Sequence, residues 1–365
     1  MRRPVDGTLV FAVGALLSLG VVMVYSSSAV RALVEYQDSF YFLKRQAIWA
    51  SLGLVSMMVM SRIDTRRLQV LCRPAFVATL VALVLVLIPG VGQVAHGSRR
   101  WLGWGSLSFQ PSEAMKLAFV LYLADFLARR GEEGARRLVR GLVPPLAMLA
   151  LCFMLILSQP DLGTAVCLAG TAFLMLFGGG ASLLHLGLLG LASAPAMAWA
   201  VMGETYRRER FLAFLNPWAD PQGSGYHIIQ ALYALGSGGL LGVGLGQSRQ
   251  KFFYLPEQHT DFIFAIVGEE LGFVGAIVVL GLFLVFAWRG YRAAVAPPDR
   301  FSSLLAMGIT TMISLQALIN IAVITSVLPI TGIPLPFLSF GGSSLLVTLT
   351  GVGMLLSASR GLQGV

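Results

Sequence analysis

The sequence predicts an all-α polytopic membrane protein with about ten transmembrane helices and one large extracytoplasmic loop between helices 7 and 8. Three observations carry this. Of 365 residues, 56% are hydrophobic and 12% charged, against about 25% charged in an ordinary soluble domain, and mean hydropathy is +0.79. Apolar runs recur at 8–30, 46–61, 74–90, 112–128, 141–158, 161–177, 182–202, 262–288, 302–325 and 343–359. Lysines and arginines concentrate in alternate loops, as they do when those loops stay in the cytoplasm. No soluble domain boundary, low-complexity linker or visible repeat interrupts the pattern, so 1–365 reads as a single membrane domain.

The first run follows Arg2 and Arg3 as a signal peptide would. It ends in Tyr25-Ser26-Ser27-Ser28 without a small-x-small cleavage site, and so reads as a retained helix. With the N-terminus inside, 15 of the 26 lysines and arginines fall in cytoplasmic segments: Arg2 and Arg3, the 62–73 and 129–140 groups, Arg289, Arg292, Arg300 and Arg360. Of the other 11, five lie in one long loop, which leaves 6 in short outer segments. Both termini are therefore placed in the cytoplasm and the 203–261 segment on the outer face. Its 228–246 stretch is apolar and glycine-rich, as in a segment that lies in or re-enters the interface. The net charge of +9 fits loops facing anionic lipid and not a nucleic-acid surface. Cys72, Cys152 and Cys167 lack metal-ligand spacing and read as small buried hydrophobes.

Charge at membrane depth is costly, so each such residue is a functional candidate. Gln110-Pro111-Ser112-Glu113 opens the fourth helix and sets Glu113 and Lys116 at i, i+3. They form either a mutually neutralising pair at a helix start or a cation and carboxylate at the mouth of a cavity. Arg99 and Arg100 stand beside Trp101 and Trp104 on the outer side, against the charge bias, and guanidinium suits phosphate oxygens. Asp161, in the short turn Ser158-Gln159-Pro160-Asp161, either caps the sixth helix through the amides of residues 163 and 164 or takes part in chemistry. Gly242-Val243-Gly244-Leu245-Gly246 lacks nucleotide-loop spacing. The densest candidate segment is 254–272, where Glu257, His259, Asp261, Glu269 and Glu270 surround the entry to the eighth helix. Asp261 and His259 either cap that helix or supply a half-desolvated base, and Glu269 shares the face of Asp261 if the helix already runs through 261. The proline-rich 328–337 stretch followed by Gly341-Gly342-Ser343-Ser344 forms either a tight turn or an anion cradle of helix-start amides.

The runs QPSEAMK, QPDLGT, LPEQHTDFIFAIVGEELG and LPITGIPLPFLSFGGSS, in this order over nearly the whole chain, resemble the SEDS family of bacterial cell-wall polymerases, which includes FtsW, RodA and SpoVE. Gln250-Lys251-Phe252-Phe253-Tyr254 and the ending Leu355–Arg360 look more like FtsW, the division branch, while Gln258 is shared with the elongation branch, RodA. The resemblance implies a ten-helix fold in the bacterial cytoplasmic (inner) membrane. It implies a peptidoglycan glycosyltransferase that polymerises lipid II on the outer face, inverting at the donor sugar, with Asp261 as general base. It further implies Glu113 as a functional carboxylate and a class B penicillin-binding protein, a transpeptidase, as partner. The substrate-binding candidates are Glu113, Lys116, Arg99, Arg100, Arg207, Arg210, Lys251, Asp161, Glu257, His259 and Ser343. The only cofactor left open is a divalent cation, magnesium or manganese. A lipid II flippase and a scaffold of the division or elongation complex are the alternative classes.

Overall fold

In the computed structural model, which describes residues 6–95, 98–104, 107–295 and 299–360, each of the ten apolar runs is a helix. Arg2, Arg3 and the Trp104 side chain lie outside the described residues. The helices are α1 (Gly7–Tyr36), α2 (Tyr41–Arg62), α3 (Thr65–Leu87), α4 (Pro111–Arg136), α5 (Val143–Leu157), α6 (Leu162–Gly178), α7 (Leu183–Met202), α10 (Ile263–Val295), α11 (Arg300–Ile324) and α12 (Gly342–Ser359). Between α7 and α10 the long loop carries α8 (Thr205–Leu215) and α9 (Tyr226–Ser237). Seven of these helices are long and apolar enough to cross a membrane: α1, α3, α5 with the turn before it, α7, α10, α11 and α12. α6 is apolar but has 17 residues, and α2 and α4 carry Lys44, Arg45, Glu113, Lys116 and Asp125. The protein is an all-helical polytopic membrane protein, with one small sheet that sequence patterning did not indicate.

That sheet, β1 (Gly92–Ala95), β2 (Ser98–Trp104) and β3 (Leu107–Phe109), is antiparallel in the order β1-β2-β3. It lies between α3 and the start of α4. Ser343 stitches it to α12, accepting from the Gln110 N–H (3.0 Å) and donating to the Ser108 carbonyl (3.3 Å).

Caps set the helix ends. Asp6 accepts from the Leu9 N–H to start α1, Asp64 from Arg66 to start α3, and Asp299 from Ser302 to start α11. Asp6 also pairs with Arg289 at 2.6 Å, which ties the beginning of α1 to the far end of α10. α11 and α12 are the most enclosed of the apolar helices. α12 runs along α2, with Ser56 and Thr350 hydrogen-bonded across the seam at 2.7 Å. α7 lies at the edge with Leu184, Leu188, Leu191 and Trp199 exposed, the surface a helix presents to lipid tails.

Gly20 marks a close crossing. A Cβ there would stand 2.2 Å from the Phe337 carbonyl oxygen, part of the loop before α12. Gly20→Ala must therefore push α1 off that loop, and we expect it to destabilise the protein by about 1–3 kcal/mol, read as a lower thermal midpoint in detergent. An unchanged midpoint would mean that α1 and the loop do not meet this closely.

Candidate active site

A cavity of about 590 Å³ opens where the starts of α4, α6 and α12 meet α8, α9, the sheet and the 256–261 segment. Four arginines (Arg45, Arg100, Arg207, Arg210), four carboxylates (Glu113, Asp161, Glu257, Asp261) and His227 line it among the described residues.

Asp261 reaches the wall because its backbone is fixed on three successive carbonyls. The Phe340 N–H donates to the His259 carbonyl (2.9 Å), the Ser339 hydroxyl to that of Thr260 (2.5 Å), and the Asn320 amide to that of Asp261 (2.8 Å). Asn320 also bonds the Ile333 carbonyl at 2.8 Å, so one side chain of α11 joins the aspartate segment to the proline-rich loop. Upstream, Glu257 takes a left-handed φ of 53° and its carbonyl accepts from Thr260 and Phe262. This tight turn aims Asp261 back at the cavity.

Burial first, then the neighbouring Glu257, pushes the Asp261 carboxyl up to about 7. Arg210 pulls the other way, Asp161 adds to the rise and Arg100 opposes it. The group is enclosed by protein yet touches the open cavity, the setting of a base poised near neutrality. Gly332, at φ 72°, faces both partners: a Cβ there would lie 3.4 Å from Asp261 Oδ2 and 3.8 Å from Arg210 Nη1.

The other candidates divide. Arg100 lines the cavity and is pinned by the carbonyls of Gln159 (2.8 Å) and Pro160. Arg99, next along the strand and so on its other face, is exposed. Asp161 caps α6 through the Thr164 N–H (3.2 Å), accepts from Gln110 Nε2 (3.1 Å) and still borders the cavity. Glu113 lies on the wall, but Lys116 is sealed beneath it at 2% exposure, paired to Glu113 at 2.9 Å and donating to Gln316 at 2.5 Å. Arg207 lines the cavity and bonds the Ala200 carbonyl at 2.6 Å.

Three more candidates, besides Arg99 and Lys116, lie off the cavity lining. Lys251 pairs with Glu270 at 3.4 Å, away from the cavity lining. His259 is packed between Phe42 and Phe340, with centroids 4.5 and 5.7 Å away, and burial pulls its pKa down to about 4, so it is a neutral packed ring. Ser343 is occupied in joining sheet to helix. The expectation that Glu269 shares the face of Asp261 is corrected: α10 begins at Ile263, beyond Asp261, and Glu269 turns to the Ser248 hydroxyl and the amides of Arg249 and Gln250. Sequence reading left Arg45, Trp49, Tyr206, His227 and Asn320 out of its site candidates. The charge of Arg45, beside Lys44 at the start of a largely apolar helix, and the place of His227 in the long outer loop were the signals available.

Residues 7–363 match the cell cycle protein family FTSW_RODA_SPOVE. The chain belongs to this family. It is 49% identical to stage V sporulation protein E of Bacillus subtilis over 97% of both chains. It is 45% identical to a probable peptidoglycan glycosyltransferase FtsW of Geobacter metallireducens, over 96% of this chain and 93% of that one. Its fold matches a chain of a peptidoglycan synthase complex that coordinates polymerization and crosslinking, with TM-score 0.80, 35% identity and 98% of both chains covered. It also matches the rod shape determining protein RodA of Thermus thermophilus, with TM-score 0.71, 31% identity and 98% and 97% coverage. Relatives named FtsW stand among its matches, beside stage V sporulation protein E and RodA.

Two outcomes follow. Asn320→Leu leaves the carbonyls of Asp261 and Ile333 without their donor, at about 1–3 kcal/mol for each buried group left unpaired, and we expect a fall in thermal midpoint; no change would remove Asn320 from the support of Asp261. Asp261→Asn should raise the midpoint relative to wild type at pH 8. Above its ordinary value near 3.8 the carboxylate ionises readily in the unfolded chain, whereas the folded protein keeps its proton until about 7. Wild-type stability therefore falls between those pH values and is flat beyond. The gain should shrink toward pH 4, and a gain independent of pH would contradict the raised pKa.

Proposed function

We propose that the protein is a peptidoglycan glycosyltransferase that polymerises lipid II, with Asp261 as general base. The observation that carries this is a carboxylate with its pKa near 7, standing beside Arg210 on the wall of a cavity large enough for sugar and phosphate groups. Asp261 takes the proton from the 4-hydroxyl of the acceptor N-acetylglucosamine as that oxygen attacks C1 of the donor N-acetylmuramic acid. The C1–O bond to undecaprenyl pyrophosphate breaks in the same displacement, so an α-linked donor gives a β-1,4 bond. Negative charge grows on the pyrophosphate. Arg100, Arg207 and Arg210 are placed to meet it, together with the start of α12, whose cap residue Gly341 contributes no side-chain hydrogen bond to the free amides. Lys116 acts from beneath by holding Glu113 in place. Among the described residues no three His, Cys, Asp or Glu side chains come together as a ready-made metal site; a divalent cation at the pyrophosphate would be held by one or two cavity carboxylates and the substrate's own phosphates.

The chain acts as a single membrane domain in the bacterial cytoplasmic membrane, with both termini inside and the cavity facing out. Its partner in crosslinking is a class B penicillin-binding protein, a reading supported by the fold match to a complex that couples polymerization to crosslinking. A flippase would gather ionisable groups near the bilayer midplane. Here they ring a cavity at one end of the helices.

Purified protein with fluorescent lipid II and its transpeptidase partner should give muramidase-sensitive glycan ladders, and Asp261→Asn should give none. The wild-type rate should fall as pH drops through about 7, because the base must be unprotonated. Ladders from the variant, or an acid limb near the ordinary carboxylate value, would contradict the assignment. A lipid II substrate that is moved but chemically unchanged would favour transport.

A further inference from the structure

Away from the cavity, α10 buries two adjacent carboxylates, Glu269 and Glu270, each 1% exposed, that the reaction does not use. Buried charge is destabilising unless its oxygens are well bonded, and these are. Glu269 accepts from the N–H groups of Arg249 (2.8 Å) and Gln250 (3.4 Å) and from the Ser248 hydroxyl. Glu270 accepts from the Ser26 hydroxyl of α1 (2.6 Å), the Ser248 N–H (3.3 Å) and the Lys251 ammonium (3.4 Å). The pair thus closes on the 248–251 turn from two sides.

A second, separate set of bonds acts on the same segment. At Gly272 the helix breaks, with φ 69°. The carbonyls of Glu269 and Glu270 accept instead from Val243 (3.0 Å) and Gly244 (3.1 Å). The amides of Phe273 and Val274 donate to the carbonyls of Gly239 (2.9 Å) and Leu240 (3.1 Å). The glycine-rich stretch therefore mends the helix break, and the two carboxylates secure the turn that follows it. From that turn the chain passes through fully buried Leu255, whose N–H bonds Gln250 at 3.0 Å, to the Glu257–Phe262 turn that carries Asp261. Asn320, Ser339 and Phe340 hold the downstream end of this segment.

We propose that Glu269 and Glu270 are positioning residues for catalysis: they clamp the 248–251 turn and so deliver Asp261 to the cavity wall in its enclosed setting. This rests on the glycosyltransferase reading. A looser turn admits water around Asp261, which lowers the pKa of its carboxyl toward the ordinary value and misplaces it relative to the acceptor hydroxyl.

The test uses the full chain with Glu269→Gln. A glutamine amide must point an N–H at one of the donors the carboxylate now accepts. The kcat for lipid II polymerisation should fall about 10- to 100-fold with KM little changed, since displacements of this kind cost that much. The acid limb of the rate profile should move down by about one pH unit. Amides of 248–262 should exchange hydrogen about tenfold faster, with α11 and α12 unaffected. If Glu269→Gln does not fold, Ser248→Ala and Ser26→Ala each remove one donor and keep both carboxylates; the same changes in smaller measure support the clamp. Unchanged exchange in 248–262, or activity that falls only with the amount of folded protein at an unchanged pH profile, overturns it. Hydrogen exchange needs no turnover, so a wild type that forms no ladders would defeat the functional reading while exchange still decides whether the clamp holds the segment.

Discussion

Three consecutive backbone carbonyls, those of His259, Thr260 and Asp261, are each bonded to a donor from the end of the molecule that carries α11 and the start of α12. A loop between apolar helices has few ways to stay rigid, because its polar backbone finds little water and little regular structure to pair with. Fixing it through carbonyls leaves its side chains free for chemistry. Asp261 is then enclosed without being consumed by a hydrogen bond of its own segment, and the enclosure brings its proton affinity near neutrality. The cavity, the arginines around it and the broken helix behind it take their meaning from where that carboxylate is held.

Charge is arranged here by depth. Asp261 and the arginines of the wall meet the open cavity. Beneath the wall, Lys116 neutralises Glu113 at 2.9 Å, and away from the cavity Lys251 neutralises Glu270 at 3.4 Å. Such pairs are weak sources of stability, because desolvation offsets attraction, but breaking one leaves a buried charge without its partner. They fix which helix faces turn toward one another. The Asp125 carboxylate, which accepts from Arg129 (2.8 Å) and Gln69 (2.8 Å), does the same between α4 and α3.

Helices were legible because hydropathy records them directly: each apolar run is a helix, and the boundaries shift mainly where a polar end extends the span, as at α1 and α10. The sheet at 92–109 was not, since its short strands interleave glycine with arginine and tryptophan and lack a clean alternation. Within the site, Asp261, Glu113, Asp161, Arg100, Arg207 and Arg210 stood out as charges in an apolar chain. Lys116, Lys251 and His259 stood out for the same reason and proved to be satisfied by neighbours or by packing. Local charge reveals that a group matters, while whether it faces a ligand or a partner depends on contacts far along the chain. Asn320 shows the converse. A single amide in an apolar helix carries no spacing signal, yet it joins two loops.

The central claim is that the fold holds Asp261 as a carboxyl that gains and loses its proton near neutrality. Infrared difference spectra of wild type against Asp261→Asn, recorded across pH 4 to 9, read the protonated carboxyl band of this one residue. A band that disappears with a midpoint near 7 is the predicted result. A band already lost at the ordinary carboxylate value, near 4, would contradict the account.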